Sequence, residues 1–454
     1  MTTTYVAREM KAQGYRVFEG SETAIARGAA DSRQVRPGDL FTAFHGEHHD
    51  GNDFVAEALR NGAVAAVCER APEGAWPGKT IVVAPDGLAA ISELAHTWRM
   101  ACHPRVVGIT GTVGKTTAKD LVAATLASRF RVHKSEGNLN SREGLPLALL
   151  TLGPDDEVSV LEMAMDSPGE ILELCRVAEP EVGVVLGVGL THVSKLGSVE
   201  AITEEKLSLA RYLPETGTAI LNADDRRVAP AAAGLRCKVL TFGASPDATI
   251  RRGPVTARGL DGTSFDVTVA GETVRVDSPL PGEHVVPAAL AAIGACLALG
   301  MTLRDAASAV GAAGVEGRMR VRHSDTGATI LDDRYNASPA SLAGALRMLG
   351  DMPGRRIALI GRMAELGEFE AEEHRKAGAI AAENCDLLVA VGESCDLLVE
   401  SARSAGLADA RWFANKDEAA AAVRAILREG DFVLVKASRS QAFETLIPLL
   451  EGTP

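Results

Sequence analysis

The stretch Arg105-Val-Val-Gly-Ile-Thr-Gly-Thr-Val-Gly-Lys-Thr-Thr117 carries the residue types that hold a phosphate. Backbone N–H groups around Gly111, Thr112 and Gly114 can wrap an anion, and a helix opening at Lys115 adds the field of its N-terminus. Lys115 would reach the β- and γ-phosphates, and the Thr116 hydroxyl would ligate magnesium, with Thr117 closing the loop. Ile109 stands where the generic G-x-x-x-x-G-K-S/T pattern has its first glycine, and the glycines fall at 108, 111 and 114. The reading therefore rests on context: a β-branched run before the loop and a helical pattern after it. A second group belongs with it. Val158 to Met165 reads as a buried strand that delivers Glu162 close to its carboxyl end, where a parallel α/β sheet places its ligand crevice. Glu162 is thus a candidate magnesium ligand, directly or through water, or else a strand-end carboxylate facing solvent. His192, just past the apolar run Val182 to Val188, reads alone as a structural histidine, and Lys206, in the helical run Ala201 to Tyr212, reads alone as a surface lysine.

These residues need a scaffold, and the pattern supplies an α/β fold of three domains. Residues 1–85 alternate the short strands Leu40–Phe44, Ala63–Cys68 and Thr80–Ala84 with turns and a helical segment from Asp53 to Asn61, a small α/β module. Its loop His45-Gly-Glu-His-His-Asp-Gly51 invites a metal reading, but such irregular spacing better suits solvated side chains or the lining of a cleft. Residues 86–103 form a helical connector ending at His103-Pro104. Residues 104–314 form the central phosphate-loop domain, with further strands at Phe130–His133 and Thr218–Asp225 and about 60 residues of short strands after them. Residues 315–454 restart the alternation with strands at Ala328–Asp333, Arg356–Gly361, Leu387–Val391 and Phe432–Lys436, a doubly wound Rossmann-like domain. No G-x-G-x-x-G follows its first strand, so the shape need not bind a dinucleotide.

Composition narrows the function classes. A net charge of -13 argues against a nucleic-acid surface while leaving room for a local phosphate site. The seven cysteines are odd in number, scattered and without a C-x-x-C pair, as in reduced core thiols. Charges near the N-terminus replace the apolar run of a signal peptide, so a cytoplasmic protein is expected. Val285 to Leu303 is uncharged but broken by Pro287, Gly294 and Gly300, and reads as a buried helix rather than a membrane insertion.

Taken together the motifs are similar to those of the Mur ligases, the ATP-dependent amino-acid ligases of peptidoglycan precursor synthesis, which act in cell wall biogenesis, cell shape and division. The likeness runs through Asp31-Ser-Arg33, Pro37-Gly-Asp-Leu-Phe41, Asp50-Gly51, the phosphate loop, Gly137-Asn138, Glu162, Gly169-Glu-Ile171, His192 and Lys206. It continues through Leu221-Asn-Ala-Asp-Asp225, Gly317-Arg318, Asp333-Arg-Tyr-Asn-Ala337, Glu365-Leu-Gly367, His374 and Lys436-Ala-Ser-Arg439. Tyr335 to Pro339 and Glu365-Leu-Gly367 resemble the family member that adds D-alanyl-D-alanine to a UDP-linked muramoyl tripeptide through an acyl phosphate.

The resemblance implies roles. Lys115 and the loop amides hold ATP phosphates, with Thr116 and Glu162 around one magnesium ion. His192 and a carbamylated Lys206 support a second, because a carbamate presents oxygen donors where an ammonium would repel the metal. Asn222, Arg318, Asp333, Tyr335 and Asn336 complete the nucleotide site. Asp31, Ser32 and Arg33 lie by the uridine nucleotide, Asn138 belongs with the substrate residues, and Lys436, Ser438 and Arg439 lie near the incoming dipeptide. A monomer is expected, closing its last domain on the central one and bringing Arg318 to the phosphates. Some positions depart from the family pattern: Ser141, Gly187, Val285, Pro287 and Ser338 replace asparagines, Arg362 an acid and Ala437 a glycine. A sister ligase with another amine, a phosphate-loop kinase or hydrolase, and a silent nucleotide binder remain the alternatives.

Overall fold

A computed structural model of the chain describes residues 1–46, 49–190, 193–314 and 319–452. Its three sheets are joined first by one long helix. The Asp86 carboxylate accepts the N–H groups of Leu88 and Ala89, which turns the chain into the helix Gly87–Cys102. That helix stops at His103, whose φ is +53° and which precedes Pro104. The connector is no passive spacer. Arg99, only 6% exposed, donates from Nε to the Ala178 carbonyl at 2.8 Å and from Nη2 to the Glu179 carbonyl at 3.0 Å. Both lie at the carboxyl end of the helix Glu170–Ala178, where a cation suits the helix dipole. One apolar core accordingly runs from Val6 and Leu40, through Ile91 and Leu94 of the connector, to Ile171 and Leu209.

The first sheet has the order Arg16–Phe18, Thr80–Val83, Ala65–Cys68, Leu40–Thr42, Gly28–Ala29. Two of these strands, Arg16–Phe18 and Gly28–Ala29, are too short to leave a periodic signal. The nine-stranded central sheet places Arg105–Thr110 between Val158–Glu162 and Val182–Val185, all parallel. Val132–Lys134 lies beyond Val158–Glu162, and Thr218–Asn222 and Lys238–Gly243 extend the other side. The strands Ile250–Ala257, Thr263–Val269 and Glu272–Ser278 finish that side, the last two pairings antiparallel. The uncharged stretch from Val285 contributes the buried helix Val286–Ala298, as expected. Among the described residues no helix is long and apolar enough to cross a membrane.

The third sheet has the order Arg320–His323, Thr329–Asp332, Phe432–Lys436, Arg356–Gly361, Leu387–Val391, Ala410–Phe413. Its two edge strands were not anticipated. Arg-Val-Arg-His has no apolar alternation, and forms a strand by antiparallel pairing with Thr329–Asp332, reinforced by an Arg322–Asp332 ion pair at 2.8 Å. The domain boundary expected at 314/315 adjoins 315–318, outside the described residues.

Arg99→Ala leaves two helix-end carbonyls without their charged donor. It is expected to lower stability by about 2–3 kcal/mol, read as a fall in the thermal midpoint, with Arg99→Lys recovering part of it.

Candidate functional site

Because strands Arg105–Thr110 and Val158–Glu162 are parallel neighbours with Ile109 opposite Glu162, the phosphate loop and the carboxylate emerge at the same sheet edge. Gly114, at φ +82°, caps the helix Lys115–Leu126. The Thr112 N–H donates to the Gly187 carbonyl at 2.8 Å, and the Gly189 N–H to Thr112 Oγ1 at 2.7 Å, so the loop is stitched to the turn after Val182–Val185. The Lys115 ammonium donates to the Gly111 carbonyl at 2.9 Å. Glu162, 2% exposed, accepts the Thr116 hydroxyl at 2.7 Å on Oε2 and the Asn140 amide at 2.8 Å on Oε1. The solvent-facing alternative for Glu162 therefore falls away. Below it, Ser135 Oγ accepts the Glu162 N–H, and the buried Lys119 ammonium donates to the Ser135 carbonyl at 2.7 Å.

These groups face a cavity of about 1460 Å3 between the second and third sheets. The central side brings Thr112, Gly114, Lys115, Thr117, Asn138, Glu162 and Asn222 to its wall, and the opposite side brings Asp333, Tyr335, Asn336, Lys436, Ser438 and Arg439. Across from the phosphate loop, the buried Lys436 ammonium donates to Asp333 Oδ2 at 2.6 Å and to the Asn336 carbonyl at 2.9 Å. The Arg439 guanidinium lies 5.7 Å from the centre of the Tyr335 ring. Asn222 is committed locally, its amide to the Leu186 carbonyl at 2.6 Å and its oxygen to the Asp224 N–H. Five of the departures from the family pattern, Ser141, Gly187, Val285, Pro287 and Ser338, also line this cavity.

Lys206 does not lie on the helix surface: it is 1% exposed. Burial pushes its amine well below the ordinary lysine value, and the Lys115 ammonium pushes it the same way, opposed by Glu205. His192 and Arg318 lie outside the described residues. Asp31, Ser32 and Arg33 are not among the residues lining the large cavity. Asp31 caps the turn Ser32–Gln34, and the Arg33 guanidinium holds its carboxyl down at about 2. Ser32 is buried, its carbonyl accepting from Asn61. His45 borders a smaller cavity of about 400 Å3 and meets Glu69 at 2.7 Å, while Glu47 and His48 of the same loop are outside the described residues. No group of three or more His, Cys, Asp or Glu side chains able to hold a metal occurs among the described residues.

Sequence reasoning missed Asn140 and Asp225. Asn140 stands two places from Asn138 in a polar loop, and only the folded loop reveals which amide reaches Glu162. Asp225 accepts the Val188 N–H at 2.7 Å and so fixes the turn that backs the phosphate loop.

Lys206 makes stability depend on pH. The unfolded chain keeps this proton up to the ordinary lysine pKa, whereas the folded chain releases it earlier. The residue thus costs stability below its folded pKa, and the cost fades as pH rises to the unfolded value. In carbon dioxide-free buffer, Lys206→Met is expected to raise the thermal midpoint at neutral pH, with the gain shrinking towards the lysine range. A pH-independent gain would assign the effect to packing alone.

Three family descriptions match the chain: "Mur ligase family, catalytic domain" over residues 11–99, "Mur ligase middle domain" over 109–296, and "Mur ligase, glutamate ligase domain" over 317–439. The UDP-N-acetylmuramoyl-tripeptide--D-alanyl-D-alanine ligase of Bacillus subtilis is 32% identical, with 95% of this chain and 94% of that one covered. The protein of the same name from Treponema pallidum is 34% identical over 98% and 96%. Among solved structures, MurF from Acinetobacter baumannii superimposes with a TM-score of 0.87 at 26% identity, covering 99% of this chain and 98% of that one. MurF ligase from Thermotoga maritima, in complex with ADP, does so at 0.79 and 29%, covering 94% and 97%. With three matching domains in order and relatives above 30% identity from end to end, the chain belongs to the Mur ligase family.

Proposed function

We propose that this chain joins UDP-N-acetylmuramoyl-tripeptide to D-alanyl-D-alanine by an amide bond at the expense of ATP, in peptidoglycan precursor synthesis. As a Mur ligase it is an ATP-dependent, ADP-forming enzyme. One observation carries the reading: a single cavity unites the phosphate loop and Glu162 with Asp333, Lys436, Ser438 and Arg439 of the last domain. The phosphate loop alone, as in a kinase or hydrolase, leaves the Asp333, Lys436 and Ser438–Ser440 side of the cavity unexplained.

In the reaction the tripeptide carboxylate attacks the γ-phosphate, ADP departs, and the dipeptide amine then displaces phosphate from the acyl phosphate. Lys115 exchanges its bond to the Gly111 carbonyl for phosphate oxygens and neutralises charge there. Gly111, Thr112, Gly114 and Thr117 supply the cradle. The Thr116 hydroxyl and Glu162 carboxylate, 2.7 Å apart, are hard oxygens that would hold magnesium. Magnesium bound there supplies further neutralisation of the phosphates. Burial disfavours the ammonium form of Lys206, and carbamylation of its amine would take up carbon dioxide, release a proton and supply an anionic oxygen donor there. The family resemblance gives His192 the role of supporting a second magnesium ion and Arg318 a role at the phosphates. Asn222, Asp333, Tyr335 and Asn336 frame the nucleotide, Asn138, Lys436, Ser438 and Arg439 the peptide substrates, and Asp31, Ser32 and Arg33 the uridine end. Closing the cavity keeps water from the acyl phosphate. The buried, free cysteines suit a cytoplasmic setting.

Phosphate release from ATP is expected to require both the tripeptide and the dipeptide and to yield pentapeptide by mass. Release with the tripeptide and a different amine only would make this a sister ligase. Glu162→Gln is expected to cut kcat by roughly 100-fold or more, with some fall in the thermal midpoint because its new NH2 meets a donor that the carboxylate accepted from. Stripping carbon dioxide is expected to lower activity and bicarbonate to restore it, with a carbamate signal in 13C NMR that Lys206→Met lacks.

A further inference from the structure

The strands Arg356–Gly361 and Leu387–Val391 end side by side, with Gly361 opposite Val391. Over those ends lies the side-chain amide of Gln441. Its Oε1 accepts the Arg362 N–H at 2.7 Å. A Cβ at Gly361 would collide with that oxygen, and one at Gly392 would stand 2.7 Å from Nε2, so the amide fills a slot that exists because both positions are glycine.

Two further anchors hold the same turn. The Ser438 N–H donates to the Arg362 carbonyl at 3.1 Å, and the Lys416 ammonium donates to the carbonyls of Gln441 and Ala442 at 3.1 and 2.8 Å. Between the anchors, Ser438, Arg439 and Ser440 form part of the cavity wall. Arg362 is itself held, its guanidinium bidentate to Glu370 at 2.6 and 2.8 Å and meeting Glu393 at 2.8 Å.

We propose that Gln441 is a positioning residue for the incoming amine: by coupling to the Arg362 backbone it sets the Ser438–Ser440 wall against which the dipeptide docks. This rests on the amine-site reading given above. Removing the amide leaves the Arg362 N–H without its acceptor and frees one side of the turn.

Steady-state kinetics of Gln441→Ala and Gln441→Glu test it. Gln441→Ala is expected to raise KM for D-alanyl-D-alanine about tenfold, with KM for ATP and for the tripeptide within about twofold. Gln441→Glu, which keeps an acceptor for the Arg362 N–H, is expected to recover most of the loss. An unchanged dipeptide KM in an active Gln441→Ala enzyme overturns the proposal alone. A rise in all three KM values with a lowered thermal midpoint also overturns it, in favour of a structural role. A wild-type enzyme that turns over no dipeptide removes the amine-site reading and this inference together.

Discussion

A carboxylate buried at the end of a parallel strand has to be satisfied on both oxygens, and much of this molecule is arranged around that need. Glu162 meets it with a hydroxyl from the phosphate-loop helix and an amide from the 137–144 loop. Its own N–H is held by Ser135, and Ser135 by Lys119 of that helix. Segments from the phosphate-loop helix, the 137–144 loop and the Glu162 strand are thereby fixed to one point. An unpaired carboxylate there would cost several kcal/mol, on the order of a large part of a domain's net stability. The same contacts serve chemistry, since they fix both carboxylate oxygens as hard donors beside the phosphate loop.

The opposite wall follows a different logic. There a cation, Lys436, is buried against Asp333 at the ends of two adjacent strands. A buried pair of this kind adds little net stability, because desolvation offsets the attraction, but it fixes where each partner points. The contact thus ties a residue assigned to the nucleotide to one assigned to the peptide.

What the sequence made legible were features with strict local spacing. The phosphate loop, its flanking strand and helix, and the strand bearing Glu162 lie where periodicity and glycine placement put them. Asn140 was hidden because a polar loop has no period, and its neighbour Asn138 reads identically. Lys206 misled for another reason. Glu205 and Lys206 are both buried side chains in one helix, against the usual rule that charged side chains stay outside, and only the helix's packing reveals it. The edge strand Arg320–His323 was invisible because its pairing, rather than its composition, makes it a strand. Family likeness reached further than pattern, yet it could not say that Arg362 would end in a cage of two glutamates.

The connector helix carries an implication for how the chain is made. Its apolar face belongs to a core completed by Ile171 and Leu209, residues that leave the ribosome long after the first sheet has emerged. At ordinary elongation rates the nascent N-terminal module waits on the order of ten seconds for the other half of that core. Whatever apolar surface Ile171 and Leu209 later cover is open to solvent until then, and the first domain gains its full stability only as the central one is synthesised.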